Sequence, residues 1–220
     1  MLINISNEFK ENNIDVAIGS IRAKVKIKKS DDELWKIINE KCIEIQNKYK
    51  LEDVLKIENI HSSRVAYKKL GKDPSRYKVS SESLVRRIVK GNELYKVNNV
   101  VDINNLISLI SGYSIGCYDN DKIDNTILFK VGEEGSSYKG IGRGDINLSN
   151  MPLFEDKDGK FGSTTSDSYR AMIRDNTENI AMNIISFDGD KQLNTYIDYA
   201  CELLKKFADA DIIDINIFKN

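Results

Sequence analysis

The feature that most constrains the fold is a series of short apolar segments between residues 126 and 188. The segments read "TILFKVG", "SSYKGIGRGDINL", "MPLFEDKDGKFGS", "YRAMIRD" and "NIAMNIISFDG". They are rich in β-branched and aromatic residues, and Gly, Asn, Asp and Ser stand at their junctions, which is typical of strands joined by tight turns. The sequence therefore predicts a strand-rich core in this region.

On both sides of this region the apolar residues recur at helical spacing. Helices are predicted within residues 30–50, 80–91, 98–112 and 190–211, with Ser30 as the N-cap of the first and Ser80 or Ser81 as that of the second. Further strands are predicted at residues 1–6, 14–29 and 212–218. We expect a single α+β domain with a sandwich-like strand core flanked by helices, in which residues 1–60 form an extension packed on residues 61–210.

The composition excludes several classes of protein. The 220 residues are 40% hydrophobic and 30% charged, as in ordinary globular proteins. No apolar run approaches the ~20 residues that span a bilayer, and the N-terminus lacks the pattern of a secretory signal. Three scattered cysteines and one histidine, His61, predict neither a zinc site nor a hydrolytic triad. We expect a cytoplasmic protein with no metal, no cofactor and no membrane partner.

Residues 61–98 are conspicuously basic. They hold ten lysines and arginines against three acids, a balance of +7, whereas the whole chain has a formal net charge of -1. A local excess of positive charge favours contact with phosphate backbones, so we predict that Arg76, Arg86 and Arg87 bind RNA. The alternative is a solvated helical face that is balanced by acids folded beside it.

The stretch "SSYKGIGRGDIN", residues 136–147, places three glycines at alternate positions around Arg143. A phosphate-binding loop of the GxGxxG type opens a helix, but the residues that follow here carry turn signals and alternating apolar side chains. We therefore predict a strand turn whose glycines let a ligand approach closely, with Arg143 as a bidentate donor to an anion.

The cluster "FGSTTSDSYR", residues 161–170, places several hydroxyl side chains around Asp167. Such a loop can bind a ribose, an amino group or a water molecule through hydroxyl oxygens and backbone N–H groups. It can equally be an Asx or Ser/Thr turn that satisfies its own backbone. Both interpretations stay open on the pattern alone.

Two further segments carry a family resemblance. The stretches "NNVVDINN" and "YSIGCYD", residues 98–105 and 113–119, resemble the NNVVDxTN and QPxHAFD stretches in the B3/B4 module of the phenylalanyl-tRNA synthetase beta subunit. A weaker likeness, at "GSTTSDS" and "NIISFD", extends the resemblance over roughly residues 64–188. The chain is similar to stand-alone B3/B4-domain proteins, which have no synthetase catalytic core.

The resemblance implies a function. The synthetase module binds the aminoacylated end of tRNA and hydrolyses tRNA that is mischarged with tyrosine, so the resemblance implies tRNA or aminoacyl-tRNA as the partner. It implies these substrate-binding residues: Asn99, Asp102, Asn104, Gly116, Cys117 and Asp119. The glycine turn adds Arg143 and the hydroxyl cluster adds Ser166 as further predicted substrate-binding residues. The chain departs from the family twice, because the family's histidine falls on Gly116 and its editing glutamate falls near Thr164 or Thr165.

An aminoacyl ester is an activated substrate, which a site can hydrolyse by positioning water and offering donors to the oxyanion. Catalysis is therefore assigned to Asp167, Thr164 and Thr165, with Asp167 accepting a hydrogen bond from the water or from the substrate ammonium. Cys117, which replaces the alanine of HAFD, is either a nucleophile or a small buried hydrophobe.

The leading hypothesis is a protein that binds tRNA and hydrolyses mischarged aminoacyl-tRNA in trans. One alternative is an RNA-binding module without catalysis. Another is a protein that binds an amino-acid-like small molecule and ignores RNA, which the formal net charge of -1 favours. DNA is not an expected partner under any of the three.

Overall fold

The computed structural model describes residues 1–142 and 144–220. The α-helices in these ranges are α1 (Asn7–Glu11), α2 (Asp32–Lys48), α3 (Glu58–Lys69), α4 (Ser80–Val89), α5 (Asn99–Ser111) and α6 (Leu193–Ala208). The strands are β1 (Leu2–Ile5), β2 (Ala17–Lys24), β3 (Ser114–Asp119), β4 (Thr126–Val131), β5 (Ser137–Lys139), β6 (Asp145–Asn147), β7 (Pro152–Asp156), β8 (Gly159–Ser163), β9 (Asn179–Ser186) and β10 (Asp211–Lys219).

The strands form two four-stranded sheets and a hairpin. The central sheet has the order β10-β2-β9-β3 and is antiparallel throughout. The outer sheet has the order β1-β4-β7-β8, in which only the β1–β4 pair is parallel. Strands β5 and β6 pair with each other as a separate hairpin. Both four-stranded sheets therefore join strands that are distant in sequence.

The central sheet lies between a helical layer and the outer sheet. Because successive side chains of a strand point to opposite faces, β2 places Ile21 with the buried residues of α2, α4, α5 and α6, and places Ile18 with the aromatic residues of the outer sheet. Stacked and tilted rings of Phe129, Phe154 and Phe161 fill much of the space between the two sheets. The predicted α+β fold, with a sandwich-like strand core flanked by helices, is confirmed.

One predicted strand is wrong. Residues 169–175 form a loop with turns instead of a strand, and at its end Arg174 and Thr177 hydrogen-bond to each other through backbone and hydroxyl groups. The buried side chains of Ala171 and Ile173 produced the apolar pattern, but they anchor a loop to the core. A short alternating segment does not distinguish these two structures.

Two predicted helix caps are also wrong. The N-cap of α2 is Asp31, whose carboxylate accepts a hydrogen bond from the backbone N–H of Leu34 at 2.9 Å, while the Ser30 hydroxyl donates to Asp102 Oδ2 at 2.6 Å. Helix α4 begins after the buried Val79, with no side-chain cap. The predicted end of α5 is confirmed, since Gly112 lies there with a φ of 74°, which favours glycine.

None of the helices in the described ranges combines the length and the apolar character needed to cross a membrane. The N-terminal residues contribute to both sheets, because β1 pairs with β4 and β2 lies between β9 and β10. Residues 1–60 therefore supply strands of both sheets, and the predicted division into an extension and a domain of residues 61–210 stays a prediction.

Candidate functional site

Three separate segments of the chain meet at the loop of residues 163–168, here called the Asp167 loop. The Tyr118 hydroxyl, from β3, donates to Asp167 Oδ1 at 2.8 Å. The backbone N–H of Ile141, in the turn after β5, donates to the Asp167 carbonyl oxygen at 3.2 Å. The structure thus brings the 116–119 segment, the glycine turn and Asp167 together. Arg143 lies outside the described residues.

Two glycines make room for the Tyr118 side chain. A Cβ atom on Gly116 would lie 2.0 Å from the Tyr118 hydroxyl oxygen, and a Cβ on Gly162 would lie 2.1 Å from it. No side chain larger than hydrogen fits at either position while the ring holds this place. A histidine at residue 116 would overlap the Tyr118 ring in this structure.

The pKa of the Asp167 carboxyl lies near neutral pH. Burial raises its pKa to about 7, and hydrogen bonds from the Tyr118 hydroxyl and from the Ser163 backbone oppose that rise. The residue as a whole is half-buried, so solvent reaches this part of the loop. Burial and the neighbouring Asp167 charge also raise the pKa of Tyr118 well above its usual value. Tyr118 therefore stays a hydrogen-bond donor while Asp167 gains or loses a proton.

The hydroxyl groups of the Asp167 loop mostly hold the loop in place. Thr164 is buried, and its Oγ1 lies 2.5 Å from the hydroxyl of Tyr67 on α3, which also lies 2.9 Å from Thr165 Oγ1. The Ser166 carbonyl oxygen accepts from the hydroxyls of Tyr138 at 2.5 Å and Ser163 at 2.8 Å. The loop is thereby tied to α3, β5 and its own first residue, and the predicted catalytic threonines lie beside Asp167 in sequence but are held by Tyr67.

Two buried polar residues near this loop were not predicted. Asn183 is in β9 directly opposite Gly116, and Ser20 is opposite Asn183 in β2, so all three lie on the sheet face that carries Tyr118. Neither amide atom of Asn183 nor the Ser20 hydroxyl has a hydrogen-bond partner within the described residues, although both side chains are buried. Buried polar atoms are normally paired, so this face is suited to hold water or a polar ligand. The signal in the sequence is a polar residue, Asn183, in the middle of the apolar run at residues 180–185.

The predicted residues of the NNVVD motif lie elsewhere. Asn99 donates through Nδ2 to the carbonyl oxygens of Lys26 and Phe207, each at 2.9 Å, and accepts from the Lys28 N–H at 3.0 Å. The carboxylate of Asp102 accepts from Ser30 and from the Val97 N–H, and burial raises its pKa. These contacts tie the start of α5 to its neighbours.

The start of α5 is about 18 Å along the helix axis from its end. Strand β3 follows that end, and its Ser114 hydroxyl donates to the carbonyl oxygen of Thr164 in the Asp167 loop. Asn104, one turn into α5, is half-buried, and its Oδ1 has no partner within the described residues. The structure therefore does not bring Asn99, Asp102 or Asn104 to Asp167, and their predicted substrate contacts stay untested.

Cys117 and Asp119 alternate with Tyr118 along β3 and point to its opposite face. Cys117 is buried among the residues that pack against the helices, and burial raises the pKa of its thiol. A protonated buried thiol is a small hydrophobe and a poor nucleophile. The Asp119 carboxylate accepts from the Thr177 hydroxyl at 2.8 Å and from the Asp121 N–H at 3.1 Å.

The three predicted RNA-binding arginines have different environments. Arg76 is exposed. Arg86 donates to the fully buried carboxylate of Glu82 at 2.7 Å, which also pairs with Arg64 at 2.8 Å. Arg87 lies 3.9 Å above the ring centroid of Tyr95 and donates to its hydroxyl at 2.9 Å. Arg76 and Arg87 thus carry positive charge without a carboxylate partner within the described residues, whereas the charge of Arg86 is offset.

Within the part of the chain that the structure describes, no cluster of three or more His, Cys, Asp and Glu side chains is arranged to hold a metal ion. The Asp167 loop offers a titrating carboxyl and several hydroxyls, and the buried amide and hydroxyl groups of Asn183 and Ser20 lie on the sheet face that carries Tyr118. Such a set can position water and transfer a proton.

Comparisons with known proteins were made for the whole chain. A family model described as the B3/4 domain matches residues 62–209. No curated protein sequence matches the chain. The chain is similar to the crystal structure of an N-terminal fragment of the phenylalanyl-tRNA synthetase beta-subunit from Pyrococcus horikoshii, with a TM-score of 0.46 and 11% identity, over 96% of this chain and 49% of that one. The chain spans about half the length of that fragment.

Proposed function

Because the chain belongs to the B3/4 domain family, we propose that it binds the aminoacylated end of a tRNA in the cytoplasm and hydrolyses the ester of a mischarged amino acid. The observation that carries this proposal is the Tyr118–Asp167 pair. Asp167 is a half-buried residue whose carboxyl has a pKa of about 7, and Tyr118 lies on the sheet face where buried polar groups have no partner within the described residues. A general base works best when its pKa is near the working pH, and this carboxyl meets that condition.

In the proposed reaction the ionised Asp167 takes a proton from a water molecule, and the water oxygen attacks the ester carbonyl carbon. The bond between the carbonyl carbon and the ribose oxygen then breaks. Asp167 returns the proton to that oxygen, which leaves a free amino acid and an uncharged tRNA.

The test is a deacylation assay with tRNA(Phe) charged with tyrosine and with other near-cognate pairs. We expect Asp167→Asn to lower the rate constant by about 100-fold or more, since a positioned base contributes on that order. The deacylation rate constant of the wild-type protein should rise as the pH increases through about 7, because Asp167 ionises in that range. Asp158→Asn, an exposed aspartate in the β7–β8 turn, is the matched control and should leave both results unchanged.

The hydrolysis proposal fails if no charged pair is deacylated faster by the unchanged protein than by Asp167→Asn. Salt-sensitive binding of tRNA without turnover would then identify an RNA-binding module, and that binding should weaken when Arg76 and Arg87 are neutralised together.

The third hypothesis, an amino-acid-like ligand without RNA, is favoured by one observation. Buried Glu82 offsets the charges of Arg64 and Arg86, so the basic stretch presents less positive charge than its composition suggests. An electrophoretic shift with total tRNA separates this hypothesis from the other two, because it predicts no shift at any salt concentration.

A further inference from the structure

A second concave site lies on the helical side of the molecule, away from the Asp167 loop. It is a cavity of about 450 Å³ whose rim carries Tyr49, Tyr196 and Tyr199. An adjoining cavity of about 610 Å³ shares Tyr49, Tyr196, Ile57, Ile110 and Lys48 with it, so the two form one continuous depression, here called the tyrosine groove. Its size is in the range of small-molecule sites.

The lining of the tyrosine groove suits a flat apolar group. Aliphatic side chains from α2, α4 and α5, including Ile45, Val85 and Leu109, form part of its wall. The Tyr196 ring is held by Tyr113, which meets it edge-on with ring centroids 5.9 Å apart. Aromatic rings prefer such offset or edge-on neighbours, so a ligand ring gains contacts with rim and wall together.

The tyrosine groove as a whole carries three lysines and three acids, but the first cavity by itself has two lysines and one acid. Lys41 pairs with Glu44 at 2.8 Å. In the adjoining cavity Lys56 pairs with Asp53 at 2.8 Å, and Glu58 is exposed in the first turn of α3. Lys48, which lines both cavities, has no carboxylate within 4.0 Å among the described residues, and its Nζ lies 5.0 Å from the Tyr49 ring centroid.

We propose that the tyrosine groove binds a small aromatic molecule with one carboxylate or similar anionic group, its ring against the tyrosines and its anion on Lys48. Six of the eleven residues that line the first cavity precede residue 62, where the family match begins: Lys41, Glu44, Ile45, Lys48, Tyr49 and Ile57. The site is therefore built mainly by the N-terminal extension and is independent of the proposed hydrolysis.

The experiment compares 1-naphthylacetate with its uncharged isostere 1-naphthylacetamide, by equilibrium dialysis against the full chain. We expect saturable binding of the anion at one site. Lys48→Met should weaken binding of 1-naphthylacetate by up to about fivefold, the upper end for an exposed ionic contact, and should change binding of the amide less than about twofold. Lys36→Met, an exposed lysine of the same helix that does not line the groove, is the matched control and should change neither.

The ring contact is tested separately. Tyr199→Ala should weaken binding of both compounds, and Tyr196→Ala should do the same if the variant folds. Asp167→Asn should leave both affinities unchanged, which keeps this result distinct from that of the deacylation assay. The proposal is overturned if the anion shows no saturable binding up to about 1 mM, if Lys48→Met and Lys36→Met have equal effects, or if Tyr199→Ala leaves both affinities unchanged.

Discussion

At the scale of single residues, the Asp167 loop depends on the Tyr118 ring and on the two glycines that accommodate it. The hydroxyl of Tyr118 reaches Asp167 only because Gly116 and Gly162 have no side chains in its path. Close packing of this kind resists an added methyl group, because neither the strand nor the ring can shift without losing other contacts.

Gly116→Ala should therefore destabilise the protein by about 1–3 kcal/mol, as other overpacked cores do. In a Tyr118→Leu background, which lacks the ring, the added cost should fall below about 1 kcal/mol, because the clash partner is gone. Urea unfolding of the wild-type protein, of Gly116→Ala, of Tyr118→Leu and of the double variant measures the cost of the added methyl group in both backgrounds. An equal cost in the two backgrounds would show that the ring is not what excludes a side chain at residue 116.

Asp167 should also make stability depend on pH. Its pKa is raised to about 7 in the folded protein, against about 3.9 for an unfolded aspartate. Between these values the unfolded chain releases this proton first, so the free energy of unfolding falls as pH rises from about 4 to about 7. The difference in Tm between Asp167→Asn and the unchanged protein should therefore increase over that window and then level off. A constant difference would contradict the raised pKa, and Asp158→Asn again is the control.

At the scale of helices and strands, a buried carboxylate joins two helices. Glu82 of α4 is fully buried and binds Arg64 of α3 and Arg86 of its own helix. The two arginine side chains are 14% and 21% exposed, so neither charge can be fully solvated once the carboxylate is removed. The pairing therefore joins α4 to α3, the helix that carries Tyr67.

We predict that Glu82→Gln lowers the free energy of unfolding by about 3 kcal/mol, the lower end of the range for breaking a buried pair. The matched change is Glu44→Gln, which breaks the exposed Lys41–Glu44 pair and should cost less than about 0.5 kcal/mol. Thermal or urea unfolding compares the two, and equal costs would contradict the structural role of the buried pair.

At the scale of the whole molecule, the N-terminal residues are part of the core. Strand β2 is the neighbour of both β9 and β10 in the central sheet, and β1 occupies one edge of the outer sheet. Removing them would expose the backbone hydrogen-bonding groups of β9 and the apolar faces of both sheets.

A fragment of residues 62–220 should consequently fail to unfold cooperatively, as judged by circular dichroism during heating. The full chain should show one transition, in agreement with a single domain. A cooperative transition of the fragment alone would instead show that residues 1–61 are a dispensable extension.

The sequence by itself determined the elements of this protein and most of their ends. The periods of 2 and 3.6 residues, together with Gly112, located most of the strands and the helices α2, α4, α5 and α6, because those signals are local. The local pattern failed at residues 169–175, where buried side chains belong to a loop.

Only the tertiary structure decided which polar residues meet. The Asp167 loop was recognisable from its hydroxyls, but Tyr118, Tyr67 and Asn183 joined it through strand pairing and helix packing between residues far apart in sequence. The NNVVD residues, although closest to a known motif, lie at the other end of α5. Long-range pairing sets such distances, and no local pattern encodes them.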